Sequence, residues 1–157
     1  MELPTPQLRV ERWPDSVIDH LGFGPRSLYA DLWLGILGPS TVCAWRLLSS
    51  RLERAGNGFD VDLVEMARLL GLGTGVGRNS PMWRTLERAT RFEIAQWRAD
   101  KTVLAVRLRI PPLPRRHVLR LPLVAQQAHE AWLTASNRRP GQNPGPVTGG
   151  ATKRSVA

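Results

Sequence analysis

The chain has 157 residues, 42% of them hydrophobic, enough for one buried core with extensions rather than two full domains. Twenty-two basic residues against thirteen acidic ones give a formal net charge of +9 and a pI near 11.4, which favours a polyanionic partner, either a phosphate backbone or an anionic lipid surface, and charge alone does not separate the two. The single cysteine, Cys43, rules out an intrachain disulfide and a cysteine zinc cluster; it is read as core packing in a reducing cytoplasm.

All but Lys101 and Lys153 of the basic residues are arginine, in a chain also rich in Ala, Gly and Pro. GC-rich codon usage produces that bias, so placement carries more information than number. Residues 1–77 hold seven basic and nine acidic side chains, residues 78–120 eleven and three, and residues 121–157 four and one. The middle segment therefore carries nearly all of the positive field. Charged residues near the N-terminus (Glu2, Arg9, Glu11, Arg12, Asp15) do not read as a secretory leader. The longest uncharged stretch, Leu32 to Trp45, is shorter than the roughly 20 residues of a bilayer span, and no membrane contact is expected.

Residues 1–24, with Pro4, Pro6, Pro14, Gly22 and Gly24, read as an irregular N-terminal arm. Ser27 to Leu37 is dense enough in apolar residues for a buried helix, and Gly38-Pro39-Ser40-Thr41 starts a second one that aligns Val42, Trp45, Leu48 and Leu52. Phe59 to Val61 is extended in character. Asp62 then caps a helix bearing Leu63, Met66, Ala67 and Leu70, which the glycine run 71–77 stops. Ser80-Pro81 opens the next helix, with Met82, Leu86 and Ala89 inward.

Ile94 to Trp97 and Thr102 to Ile110 read as two strands of a hairpin. Leu104, Val106, Leu108 and Ile110 share the core face of the second, and Arg107 and Arg109 the wet face. Pro111 to Pro114 is an extended strap, and a last helix from about Pro122 to Leu133 aligns Val124, Ala128 and Trp132. The low apolar content after Asn137 predicts a disordered basic tail.

Helix, short strand, helix, helix, strand, loop, strand over residues about 40 to 110 resembles the winged helix-turn-helix superfamily of DNA-binding domains. That resemblance implies a mostly α fold with a small antiparallel β-hairpin and flanking helices. It divides the chain into an arm (1–24), a winged helix-turn-helix domain with preceding helix and strap (25–120), a C-terminal helix (121–134) and a tail (135–157). The helix from Ser80 to about Arg91 becomes the recognition helix and Arg98 to Lys101 the wing tip. Two features depart from the pattern: the link from Leu70 to Ser80 is long, and Glu93 stands where a glycine often ends the recognition helix.

Arg84, Arg88 and Arg91 recur at i, i+4 and i+7, opposite the apolar face, and arginine suits bidentate contact with guanine or phosphate. The plainer alternative is a solvated face on which Glu87 pairs with Arg84 or Arg91. Arg78, Ser80 and Thr85 complete the expected helix contacts, Arg98 and Lys101 suit phosphates under the wing, and Arg115, Arg116 and Arg120 extend the strap along the duplex. Trp83 reads as a packing aromatic. The expectation is sequence-selective binding of double-stranded DNA, as in transcriptional regulation, by a cytoplasmic, nucleoid-associated protein.

A homodimer through Val124, Ala128 and Trp132 is also expected. The rivals are a protein-binding module that uses the Trp33, Trp45 or Trp132 surfaces, and a nonspecific nucleoid or replication accessory factor. The glycine run lacks the Gly-Lys-Ser/Thr ending of a nucleotide loop, and His20, His117 and His129 sit far apart. No catalytic constellation stands out; neither cofactor nor metal is expected, and an enzyme is disfavoured.

Overall fold

Gln7-Leu8-Arg9-Val10-Glu11-Arg12 alternates polar and apolar residues, and it forms strand β1 (Gln7–Arg12) with Leu8 and Val10 buried. The computed structural model describes residues 7–138, and β1 is a central strand of its sheet. It pairs antiparallel with β2 (Phe59–Asp62) on one side and parallel with β4 (Val103–Val106) on the other; β4 in turn pairs antiparallel with β3 (Ala95–Arg98). The order is β2-β1-β4-β3.

This mixed, four-stranded sheet overturns the expected winged helix-turn-helix architecture with its small hairpin: the protein has an α/β fold in which β3–β4 is half of a larger sheet. The cause is the N-terminal arm. Rather than lying irregularly outside the domain, it inserts β1 between β2 and β4 and takes up the hydrogen bonds that β4 would otherwise leave open. The arm then continues into α1 (Ser16–Leu21), capped by Asp15, whose carboxylate accepts from the amides of Val17 and Ile18.

The segment from Ser27 is a 3-10 turn (Leu28–Trp33) followed by the short α2 (Leu34–Leu37). Gly38, at φ 79°, makes the turn into α3 (Pro39–Arg54), whose Val42, Trp45, Leu48 and Leu52 are buried as their spacing predicts. Asp62 ends β2 and caps α4 (Leu63–Leu69). Gly71, at φ 72°, closes α4 with Leu72 N–H donating to the Ala67 carbonyl. Helix α5 (Pro81–Arg91) lays Met82, Leu86 and Ala89 on the core beside Trp45 and Leu104.

Beyond β4 the alternation does not leave one wet face. Arg107 is 8% exposed, because the arm returns over it: the Trp13 ring lies 3.8 Å from its guanidinium and the Asp15 carboxylate 2.8 Å away. Leu113 and Leu121 pin the proline strap to the core, with the short α6 (Arg115–Val118) between them. The last helix, α7 (Leu123–Arg138), includes residues 135–138 of the expected tail. Residues 1–6 and 139–157 of the expected arm and tail lie outside the described residues.

Candidate nucleic-acid interface

The start of α5 is fixed locally. Ser80 Oγ accepts from the Trp83 amide at 3.2 Å and Pro81 occupies the first turn, where its missing N–H costs nothing. From that start the helical period puts Arg84, Arg88 and Arg91 on the exposed side. Thr85 falls one position around and is buried against α3: its hydroxyl donates to the Pro81 carbonyl at 2.8 Å and meets Ser40 Oγ at 3.1 Å. The expected duplex contact from Thr85 is therefore replaced by a packing role. Ser80 is a cap, half-buried, and Arg78 is exposed in the turn ahead of it.

The arginines of α5 are not neutralised internally. Every ion pair among the described residues draws its acid from the N-terminal half, namely Glu11, Asp15, Asp19, Asp31 or Asp60. Glu87 pairs with neither Arg84 nor Arg91, so the plain alternative of a self-compensated face is not realised. Arg78, Arg98, Arg115, Arg116 and Arg120 likewise form no ion pair among the described residues. Arg88 Nη1 lies 3.6 Å from where a side chain on Gly38 would begin, so this arginine spreads over the turn into α3.

Each end of α5 is flanked by another basic element. At its N-terminal turn, Trp83 stacks on Trp97 of β3 with ring centroids 5.5 Å apart and planes at 21°, and Lys101 Nζ sits 5.5 Å from the Trp83 ring. This ties the hairpin tip, with Arg98 beside it, to the helix. The tip holds Ala99, Asp100 and Lys101 at φ 49°, 53° and 64°. At the other end, the His117 ring of α6 lies 5.5 Å from Phe92, which follows α5 directly, and carries Arg115 and Arg116 into solvent. Burial, then the neighbouring Arg116 and Arg120, hold the His117 pKa below its ordinary 6.5.

Trp97 is the residue of this region that sequence reasoning passed over; the signal available was a tryptophan directly before Arg98 on a strand, mirroring Trp83-Arg84 on the helix. Trp83 itself is buried packing, as read. The rival tryptophan surfaces are absent in two cases of three. Trp33 and Trp45 are each 2% exposed, with indole N–H groups donating to the carbonyls of Pro111 and Arg107. The proposed dimer seam divides: Val124 and Ala128 are exposed, but Trp132 turns inward onto Phe23 and Tyr29. Cys43 is exposed on α3 rather than packed in the core.

No cluster of histidine, cysteine and carboxylate side chains among the described residues could hold a metal ion. No helix among them is long and apolar enough to cross a membrane. No protein-family model, curated protein or solved structure matches this chain.

Proposed function

We propose that the protein binds double-stranded DNA selectively, as transcriptional regulation on a nucleoid requires, with α5 as the reading element. The observation that carries this reading is the exposed row Arg84, Arg88 and Arg91, uncompensated by any carboxylate among the described residues. Arg84 and Arg88, at i and i+4, are about 6 Å apart along the helix, close to two base steps of about 3.4 Å, so their guanidinium groups can reach bases two steps apart in a groove. Arg78 ahead of the helix, and Arg98 and Lys101 on the hairpin, supply sequence-independent phosphate contacts.

The hairpin serves this purpose because Trp83 and Trp97 fasten it to the reading helix, so base and phosphate contacts hold one register. The test uses Cys43, exposed and the sole thiol, as the attachment point for a fluorophore. Genomic fragments retained by the protein define a preferred duplex, and anisotropy titrations compare it with a scrambled duplex at fixed salt. A selective binder prefers the first by about a thousandfold or more. A ratio near one makes the protein a nonspecific DNA-coating factor, and the absence of binding to either removes DNA from its function.

A further inference from the structure

Residues 101–129 contain no aspartate or glutamate, and the last part of that stretch is the corner where α6 gives way to α7. Here Leu119, Leu123 and Val124 are 64%, 68% and 80% exposed, interleaved with the exposed Arg115, Arg116 and Arg120. These apolar side chains are not a spill-over from an unfilled core. Leu113 and Leu121 occupy the buried positions beneath, and Leu121 packs so closely on Gly35 that a side chain there would overlap it. The backbone is also held: Gln126 Nε2 donates to the Leu121 carbonyl at 2.8 Å. The corner thus exposes three cations and three large apolar groups within ten residues, 115–124.

We propose that this corner is a peripheral contact site for an anionic lipid bilayer. Leu119, Leu123 and Val124 would enter the headgroup–acyl boundary while Arg115, Arg116 and Arg120 meet lipid phosphates, the pairing of apolar insertion with surface charge on which interfacial anchors rest. The chemistry favours this occupant over two others. A duplex satisfies the arginines but gives the exposed leucines nothing to bury against, and a second copy of the corner brings three arginines against three. The contact is peripheral, since no described helix can span a membrane. It uses none of the α5 arginines, so a chain using both would hold DNA at a membrane surface.

The experiment is co-sedimentation of the full chain with vesicles of phosphatidylcholine alone, or of phosphatidylcholine containing phosphatidylglycerol, across a salt series. Binding is expected to the phosphatidylglycerol vesicles and not to the neutral ones. Leu123→Ser with Val124→Ser should weaken it by about tenfold, by loss of apolar insertion. Arg116→Gln with Arg120→Gln should also weaken it, whereas Arg84→Ala with Arg88→Ala, which carry the DNA reading, should leave vesicle binding within about twofold. Three outcomes overturn the proposal. They are no binding to anionic vesicles; full binding by the Leu123→Ser, Val124→Ser chain, which would mean attraction of the whole positive field; and loss of duplex affinity in that chain with vesicle binding unchanged, which would assign the corner to DNA.

Discussion

Glu93 stands at φ 60°, and its carbonyl accepts a 2.6 Å hydrogen bond from Arg107 Nε. The left-handed residue ends α5: the Glu93 amide donates to the Thr90 carbonyl and the Ile94 amide to that of Ala89, with Ile94 and Ala89 both in the core. Arg107 is held in turn by Asp15 and Trp13, so the direction in which α5 leaves the sheet is set by the N-terminal arm.

Because the Arg107 bond is to backbone, Glu93→Gly should keep it while removing the left-handed strain. The expected gain is about 0.5 to 1 kcal/mol, a rise in thermal midpoint of about 1 to 4 °C. Loss of a carboxylate beside the arginine row should also tighten binding to any duplex. A lower midpoint would mean that the Glu93 side chain has a stabilising partner and that the cap account is incomplete.

The hairpin tip separates backbone strain from charge. Ala99→Gly relieves one of three left-handed residues and should stabilise by about 0.5 to 1 kcal/mol without altering DNA binding. Lys101→Gly relieves another but removes the cation over Trp83, worth about 0.5 to 1 kcal/mol, so its net stability change should be near zero. Its DNA affinity should nonetheless fall on every duplex, with the salt slope reduced by about one unit. Urea titrations paired with binding at several salt concentrations check both halves.

Acid should loosen α7 before it unfolds the rest. Leu113 N–H donates to Tyr29 Oη at 2.8 Å, and the same hydroxyl lies 2.9 Å from His129 Nε2, where a neutral imidazole can accept its proton. Burial lowers the His129 pKa below 6.5 in the fold, as it does for His117. A depressed histidine pKa means that stability is intact above 6.5 and is lost as pH falls from 6.5 through the folded-state value. Thermal midpoints should therefore decline below pH 6.5, and His129→Gln, which keeps an acceptor for Tyr29, should flatten part of that decline. At much lower pH a second loss is expected: the hydrogen bond from Arg107 holds the Asp15 pKa below 3.8, so its contribution is present above 3.8 and vanishes as pH drops through the folded value. A midpoint independent of pH between 7.5 and 5 would contradict the Tyr29–His129 arrangement.

The local elements were legible because caps and periodicity are local. Asp62, Ser80 and Pro81 announced α4 and α5, and Met82, Leu86 and Ala89 marked the buried face. The sheet was not legible. Strand β1 offers two apolar residues, Leu8 and Val10, between Pro6 and Pro14, and the prolines read as an irregular arm although they bound a clean alternation. Its pairing with Val103–Val106 spans most of the domain in sequence, and no local signal encodes such a contact. The same blind spot placed Arg107 in water: alternation gives the face of a side chain, but what covers that face comes from Trp13 and Asp15, far away in the chain. Thr85 was misjudged for a smaller reason, since one helical position separates the Arg84 face from the α3 contact.

The α5 arginines give the decisive prediction, because their neighbours on the same helix act as controls. If Arg84 or Arg88 contacts guanine through two hydrogen bonds, alanine should cost about 1 to 3 kcal/mol on the preferred duplex and relax the preference at one base position. Arg91, in the last turn, and Arg98, on the hairpin, should instead weaken matched and scrambled duplexes alike, since phosphate contacts carry no sequence information. Thr85→Val keeps the shape but breaks the bonds to Ser40 and Pro81, so it should lower stability by about 1 kcal/mol and leave base preference alone. Anisotropy titrations of each variant on both duplexes, with melting curves to confirm folding, separate the three behaviours. If Arg84→Ala and Arg88→Ala fold normally and keep both affinity and preference, α5 is not the reading element and the exposed row has another partner.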